Sequence, residues 1–550
     1  MLKMTIKKAW KGLVQSHPKK KILFLIFLQV LVLCNPAPAY AERTLNMIAG
    51  SFDESLAEAF LKQFNADVPR YSRADCRPVG NHFMPPNLVF WCDNIYIISG
   101  SEISLGSDFV VEYCQQPYIP ANQLTAIKPY CPGHIDHKKN LGTCNSGCGS
   151  PVRGNPIQIS IGNKYQEETD YTGSGVFPLA FKRFYNSDAA VQSVDTGEHW
   201  RHSYSRTLEI HIGKALVYAY RPDGKIYTFN FYSDLWNADV DVTDRLQQVT
   251  DSGGTVTGWR YILADDTVEQ YNTSGQLVSI SNRAGLTQTL FYDVAAAEGG
   301  DDDPQTLDRI ADPFNRTLTL GRDAGGRIAS LTDPAGHVYR YDYDANGNLI
   351  AVHYPDATPA DPNDDPVRGY HYEDANFVHA LTGITDENGN RFASWGYDDQ
   401  GRAVYSEHAG GAGRVDITYN ADETVTVVNS QGQANTYHLN NVHGTSHTAQ
   451  IDGDPCPSCA GHAQSLTYDA NGYIAGRTDF NGNTTTYVHD ARGLETSRTE
   501  AVGTPQERTI TTQWDPVFRL PVQITEPGKI TTFTYDAQGR LLERKEEAAP

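Results

Sequence analysis

Methionine is scarce in this 550-residue chain, at four residues, while 47 glycines, 29 prolines and 31 tyrosines are present. That balance leaves little room for long helices and points to a turn-dense, mainly β protein. Apolar residues make up only 39%, which suits hairpins that each bury one face against a neighbour. Basic residues are in deficit, 45 Lys and Arg against 66 Asp and Glu, for a net charge of −21. Such a surface repels phosphate backbones and argues against nucleic acid as a partner. The acids fall mostly in turn-like stretches and read as a solvated surface. Catalytic signatures are missing too: there is no Gly-x-Ser-x-Gly elbow, no His-Glu-x-x-His, no phosphate loop and no pair of carboxylates set apart from the turns. The chain therefore reads as a non-enzyme without catalytic residue, metal or cofactor. His202, between Arg201 and Ser203 in an expected strand, has no assignable nucleophile and reads as a structural histidine packed against tyrosines.

A long apolar run is absent as well. The first 41 residues hold seven lysines and no acid, then the apolar stretch 22–33 broken only by Gln29, then Ala39-Tyr40-Ala41. A basic region, an apolar core too short to span comfortably and an A-x-A site describe a signal peptide cleaved after Ala41. An uncleaved anchor is the alternative, and the only membrane contact expected. A lipoprotein reading through Cys34 is weaker, because Leu33 precedes it where such signals carry a small residue. Export places the chain in the periplasm, at the cell surface or outside the cell. Loss of the seven lysines leaves the mature chain more acidic still.

Cysteine follows from export. Cys76, Cys92, Cys114, Cys131, Cys144 and Cys148 lie close together, an even number in an oxidising compartment, and read as three disulfides of open connectivity. Zinc on Cys131, His134, His137, Cys144 and Cys148 is the competing reading. Cys456-Pro457-Ser458-Cys459 follows a turn-rich stretch and reads as a local disulfide, with redox or metal chemistry as alternatives. Residues 42–150 thus form a small Cys-rich N-terminal domain of unknown role, placed to cap the first hairpins. Phe52, Leu56, Phe60 and Phe64, behind the capping-box pattern Ser51-Phe52-Asp53-Glu54, predict one short amphipathic helix.

The second half repeats one phrase: an aromatic residue, Asp, two small or polar residues, Gly, then Arg or Asn. It reads Tyr343-Asp344-Ala345-Asn346-Gly347, Tyr397-Asp398-Asp399-Gln400-Gly401, Tyr468-Asp469-Ala470-Asn471-Gly472 and Tyr535-Asp536-Ala537-Gln538-Gly539, with degenerate copies at His489-Asp490-Ala491-Arg492-Gly493 and Trp514-Asp515-Pro516. Asp469, Asp490, Asp515 and Asp536 are spaced 21, 25 and 21 residues apart, so one supersecondary unit is used many times. A second turn signal falls between phrases, as in Asp333-Pro334-Ala335-Gly336 and Asp386-Glu387-Asn388-Gly389. Gly accepts positive φ and Asp bonds the backbone two residues on, so Asp344, Gly347, Asp398, Gly401, Asp469, Gly472, Asp490, Gly493, Asp536 and Gly539 are turn formers. Calcium at Asp344 and Asp386 is the chemical alternative, although the closing glutamate and flanking helices of a calcium loop are missing. Alternation in 338–343 and 531–535 has the period of a half-buried strand. The fold expected is a mainly β array of antiparallel hairpins winding into a curved sheet or partial β-shell.

The phrase resembles the tyrosine-aspartate (YD) repeat of the Rhs family, and the resemblance covers roughly residues 154–543. Upstream, Gly154-Asn155-Pro156-Ile157, Gly162-Asn163-Lys164-Tyr165, Glu168-Thr169-Asp170-Tyr171, Phe181-Lys182-Arg183-Phe184-Tyr185-Asn186-Ser187, Trp200-Arg201-His202-Ser203-Tyr204 and Arg221-Pro222-Asp223-Gly224-Lys225 are similar to the DUF6531-like segment that opens bacterial Rhs repeat regions. The implied organisation is a signal peptide at 1–41, the Cys-rich domain at 42–150, the opening segment at 151–245 and repeats at 246–550. Two low-complexity stretches, 295–305 and 355–366, read as exposed loops. Rhs repeats, with relatives in insecticidal toxin complexes and teneurins, wind into a hollow shell that in bacterial proteins can enclose a C-terminal toxin released at an Asp-Pro-x-Gly core motif. The sequence ends at Ala548-Ala549-Pro550 without that motif or a toxin domain, so self-cleavage is not expected. The resemblance implies an exported scaffold of a polymorphic-toxin or contact-dependent competition system, partnered by a toxin or another Rhs segment. The alternative is an adhesin that binds cell-surface glycans or proteins through its tyrosines.

Overall fold

A computed structural model of the protein describes residues 136–142 and 151–549, apart from 189, 192–193, 294–305, 357, 359–363 and 454–462, together with three short strands nearer the N-terminus. Those strands, Leu88–Cys92, Ile95–Ile98 and Ile119–Pro120, pair antiparallel with Leu88–Cys92 in the middle, inside a unit that spans 1–134. Cys92 ends the first of them. The signal segment, Ala41, the expected helix, the other five clustered cysteines, His134, Cys456, Cys459 and the stretch 295–305 lie outside the described residues.

The second unit, 135–550, is antiparallel β throughout its described residues, with only short 3-10 turns besides. A five-stranded sheet runs from Val152–Arg153 to Trp200–His202. From Thr207–His211 to Leu541–Ala548 thirty strands follow, each paired with the next in sequence. Hydrophobic positions alternate as expected of one buried face: Ile310, Leu318, Leu320, Ile328, Leu331, Tyr341, Leu349 and Val352 join a single core with Trp200, Trp259 and Trp395.

The repeated phrase explains the local geometry. Asp344 Oδ1 accepts the backbone N–H groups of Asn346 and Asn348, each at 2.9 Å, and Gly347 takes φ +84°. The double bond recurs at Asp398 to Gln400 and Arg402, at Asp469 to Asn471 and Tyr473, at Asp490 to Arg492 and Leu494, and at Asp536 to Gln538 and Arg540. Gly401, Gly472, Gly493 and Gly539 sit at positive φ like Gly347. The second carboxylate oxygen takes a side chain: Asn348 at Asp344, Arg402 at Asp398, Arg540 at Asp536. Asp386, the other calcium candidate, receives Asn388 and Asn390. Both candidates thus aim oxygens at N–H groups of their own turns.

The tyrosine does more than pack. Tyr343, Tyr397, Tyr468 and Tyr535 each stand at a β-bulge, which turns the ring off the ladder. Each hydroxyl donates backwards to a main-chain carbonyl in or just ahead of the preceding strand: Ile328 at 2.7 Å, Leu381 at 2.7 Å, Thr448 at 2.7 Å and Pro521 at 2.8 Å. Trp514 of the degenerate copy keeps the bond through Nε1, to the carbonyl of Glu495 at 2.8 Å. Tyr419 makes the same bond, to Ala403 O at 2.8 Å, and guanidinium groups cover two of these rings, Arg327 over Tyr343 at 4.5 Å and Arg402 over Tyr419 at 4.1 Å. Tyr343→Phe, Tyr397→Phe and Tyr535→Phe should each cost about 1 kcal/mol in urea unfolding, and the triple variant close to their sum, since the sites share no partners.

The sheet is curved enough to meet itself. A bridge between Thr207 and Gln276, with Leu208 N donating to Gly275 O at 2.9 Å, closes the ladder early. Farther along, one edge of turns meets a later one. Tyr473 OH donates to Val240 O, Arg519 N to Asp266 Oδ2 and Arg519 Nη2 to Thr243 O, across 233, 253 and 276 residues of sequence. The hairpins therefore coil, and successive passes touch along a seam of turns.

Candidate functional site: the buried face between the opening segment and the repeat sheet

The five-stranded sheet of the opening segment packs against strands spread along the coil. At its centre Arg183 Nε and Nη2 bond Asp170 Oδ2 and Oδ1 at 2.7 and 2.9 Å, with both side chains fully buried. The repeat sheet completes the cluster: Tyr341 and Tyr354 donate to Asp170 at 2.8 and 3.1 Å, and Arg183 donates to Tyr370 OH at 2.8 Å. Trp200 stacks below the guanidinium at 4.9 Å and donates to Tyr372 OH at 2.9 Å. Burial alone would lower the Arg183 pKa, but Asp170 outweighs it and holds the group well above its ordinary value.

Four further contacts repeat the pattern. Lys164, fully buried, donates to the carbonyls of Asn155 and Tyr165 and to Gln166 Oε1, under the indole of Trp395 at 4.1 Å. Three acceptors and an aromatic face favour the ammonium, against the burial that pulls its pKa down. Glu168 pairs with Arg368 at 3.1 Å. Tyr185 donates to His379 O and accepts Leu381 N, each at 2.8 Å. Asp195 holds His202 at 3.1 Å and Arg322 at 2.7 Å. His202 stacks on Phe181 at 5.2 Å and lies 6.5 Å from the ring of Tyr204, so the expected structural histidine packs against a phenylalanine as well as a tyrosine.

Glu269 anchors the start of the coil. Arg221 Nη1 and Nη2 bond it at 2.8 and 2.7 Å, Arg206 adds a second cation, and Tyr271 OH donates at 2.5 Å. Burial would raise its carboxyl, but the two arginines outweigh that and hold it at about 2. A depressed carboxyl stabilises above its unfolded pKa, near 4.5, and the gain is lost as pH falls toward 2. The lost term is about 3 kcal/mol, and Glu269→Gln should flatten unfolding free energy across that window.

The acids expected at the surface thus include several buried ones, and Asp365, expected in an exposed loop, is also buried and bonds Arg340 at 2.8 Å. Glu168, Asp170, Glu269 and Asp365 each take an arginine from another part of the fold as countercharge, whereas buried Asp312 and Asp333 bond Arg316 and His337 of their own turns. The phrases that resemble the Rhs opening segment supply Lys164, Glu168, Asp170, Arg183, Tyr185, Trp200 and Arg221, all facing repeat strands. Sequence reading missed their partners Glu269, Tyr341, Tyr354 and Tyr370. For Tyr341 the only signal was its place two residues before the phrase, in Tyr341-Asp342-Tyr343.

Residues 154–229 match the family described as a domain of unknown function, DUF6531, and residues 322–359 match the RHS repeat. No curated protein matches the chain. Among solved structures it is similar to the TcdB2-TccC3-Cdc42 crystal structure, at 12% identity and TM-score 0.34, covering 72% of this chain and 22% of that one. It is similar also to TcdB2-TccC3, at 11% and 0.34, covering 72% and 23%. A porin-like protein from Bacteroides uniformis follows at 12% and 0.15, covering 56% and 93%. The chain spans less than a quarter of the first two. With the DUF6531 match ahead of the RHS match, and the tyrosine-aspartate turn repeated through the hairpins that follow, the chain carries a DUF6531 segment followed by an RHS repeat.

Proposed function

We propose that this protein is a non-catalytic, exported scaffold of a polymorphic-toxin or contact-dependent competition system, in which the opening segment stoppers the coil of repeats. The Arg183–Asp170 cluster carries the reading. Buried charge of this kind is costly to assemble and weak as a source of stability, yet here it is completed by three tyrosines from repeat strands. Its use is to fix one segment in one place on a sheet that could otherwise slip by a hairpin. Export through residues 1–41, and disulfides among Cys76, Cys92, Cys114, Cys131, Cys144 and Cys148, belong to the same reading. N-terminal sequencing of the exported chain should begin at Glu42.

The test is a co-culture of the native host, with and without the gene, against a susceptible neighbour. The intact gene should confer an advantage that is lost with Arg183→Ala. Equal outgrowth of both strains overturns the competition role, and turnover of any substrate by the purified chain overturns the non-catalytic one.

A further inference from the structure

Lys139 lies where two passes of the coil meet. Its ammonium donates to Asp239 Oδ2 at 3.0 Å, to Asp241 Oδ1 and Oδ2 at 2.7 and 2.8 Å, and to the carbonyl of His443 at 2.7 Å. The three side chains are almost closed to solvent, at 3%, 10% and 11% exposure. Asp239 and Asp241 sit in the connection between Leu235–Asn237 and Arg245–Thr250, on the early pass. His443 sits in the turn between Ala434–Val442 and Thr445–Gly453, on the later one. Thr445 Oγ1 reaches back to Asp241 at 2.9 Å. Neighbours of Lys139 tie down the same turn: Asp136 N and Asn140 Nδ2 donate to Gly444 O at 2.9 and 2.8 Å, and Asn140 Oδ1 accepts Ser446 N at 2.9 Å. Residues 136–142 are thus a strap, and Lys139 is a bolt through the seam.

The bolt carries one ammonium against two carboxylates in a nearly dry site. Two imidazoles also face it: His443, whose Nε2 meets Ala470 O at 2.9 Å, and His447, 4% exposed against the ring of Tyr468. Burial lowers His447 to about 4, so it is neutral at neutral pH. Two like charges this close cannot both be ionised without cost, and one protonated carboxyl brings the cluster to balance. We propose that the Lys139 bolt is a proton-tuned fastening of the seam, which grips harder in mild acid and loosens as the pH rises to neutral.

Burial raises the Asp239 carboxyl, Lys139 opposes, and Asp241 adds to the rise, leaving it at about 6. A carboxyl raised above its unfolded value of 3.8 destabilises the closed state above its folded pKa. The burden is relieved as pH falls through 6, the reverse of an ordinary salt bridge. His447 works the other way between 6.5 and 4, so the experiment must isolate Asp239 by comparison with a variant that keeps the histidine.

Hydrogen exchange at the amides of 239–243 and 443–446, corrected for the pH dependence of intrinsic exchange, reads the opening of the seam. The ratio of opening constants, wild type over Asp239→Asn, should rise roughly tenfold from pH 5 to pH 7.5. Protection in Thr317–Arg322 and Ile328–Thr332, away from the seam, should match in both chains and certifies the fold. A flat or falling ratio overturns the proposal. Should Asp239→Asn fail to fold, Asp241→Asn removes the neighbouring negative charge but leaves the burial that raises Asp239, so its ratio must rise, by less than expected for Asp239→Asn; a flat ratio there is equally fatal.

Discussion

Replacing Arg183 with alanine should lower the unfolding free energy by about 3–5 kcal/mol, because it strands Asp170 in the interior without a countercharge. Two tyrosine hydroxyls would still reach Asp170, and Trp200 would lose the guanidinium stacked on it. A pairwise control separates charge from volume. The double variant Arg183→Met with Asp170→Asn keeps most of the packing and buries no charge, so it should cost less than Arg183→Ala alone. Urea unfolding followed by tryptophan fluorescence checks both, and a double variant worse than the single one would show that the ion pair is not what the alanine removes.

A second large loss is expected at Gly275. The residue takes φ +84°, and a Cβ added there would lie 1.9 Å from the carbonyl oxygen of Leu208. Both atoms that must part belong to the bridge that closes the ladder, so no side-chain rotation relieves the clash. Gly275→Ala should cost about 3 kcal/mol and should lose amide protection first at Leu208. Gly336 offers the contrast: φ is +88° but no atom lies within 4 Å of its Cβ position. Alanine there should cost only about 1 kcal/mol, and calorimetry of the two variants measures the difference that the close approach makes.

Much of the architecture was legible because the phrase is written in backbone chemistry. Asp344 and Gly347 announce a turn through properties they carry anywhere, and the run 338–343 is the strand Val338–Tyr343. What could not be read was long-range. Nothing around Glu269 says that Arg206 and Arg221 will converge on it, since hairpin stacking sets those distances. Tyr343 read as a packing residue because its hydroxyl bond depends on a bulge, and a bulge leaves no mark in a two-residue alternation. The acids misled for a related cause. Asp170 and Asp365 have the composition of surface, and only an arginine brought from another strand makes them interior. Lys139 was hidden entirely, three residues into a segment whose role appears only when two passes of the coil are side by side.

The seam between passes also acts as a gauge of length. Asp266 meets Arg519, and Val240 meets Tyr473, only because the hairpins between them subtend one circuit. Inserting one unit of about 21 residues leaves every local hydrogen bond of the array intact, yet advances the later pass by two strands and presents Asp266 with the wrong turn. Like a vernier, the seam converts a count of repeats into agreement or mismatch between distant residues. Tolerance to added hairpins should therefore recover only when a whole circuit is supplied, so the number of repeats is constrained by circumference rather than by the stability of any single one.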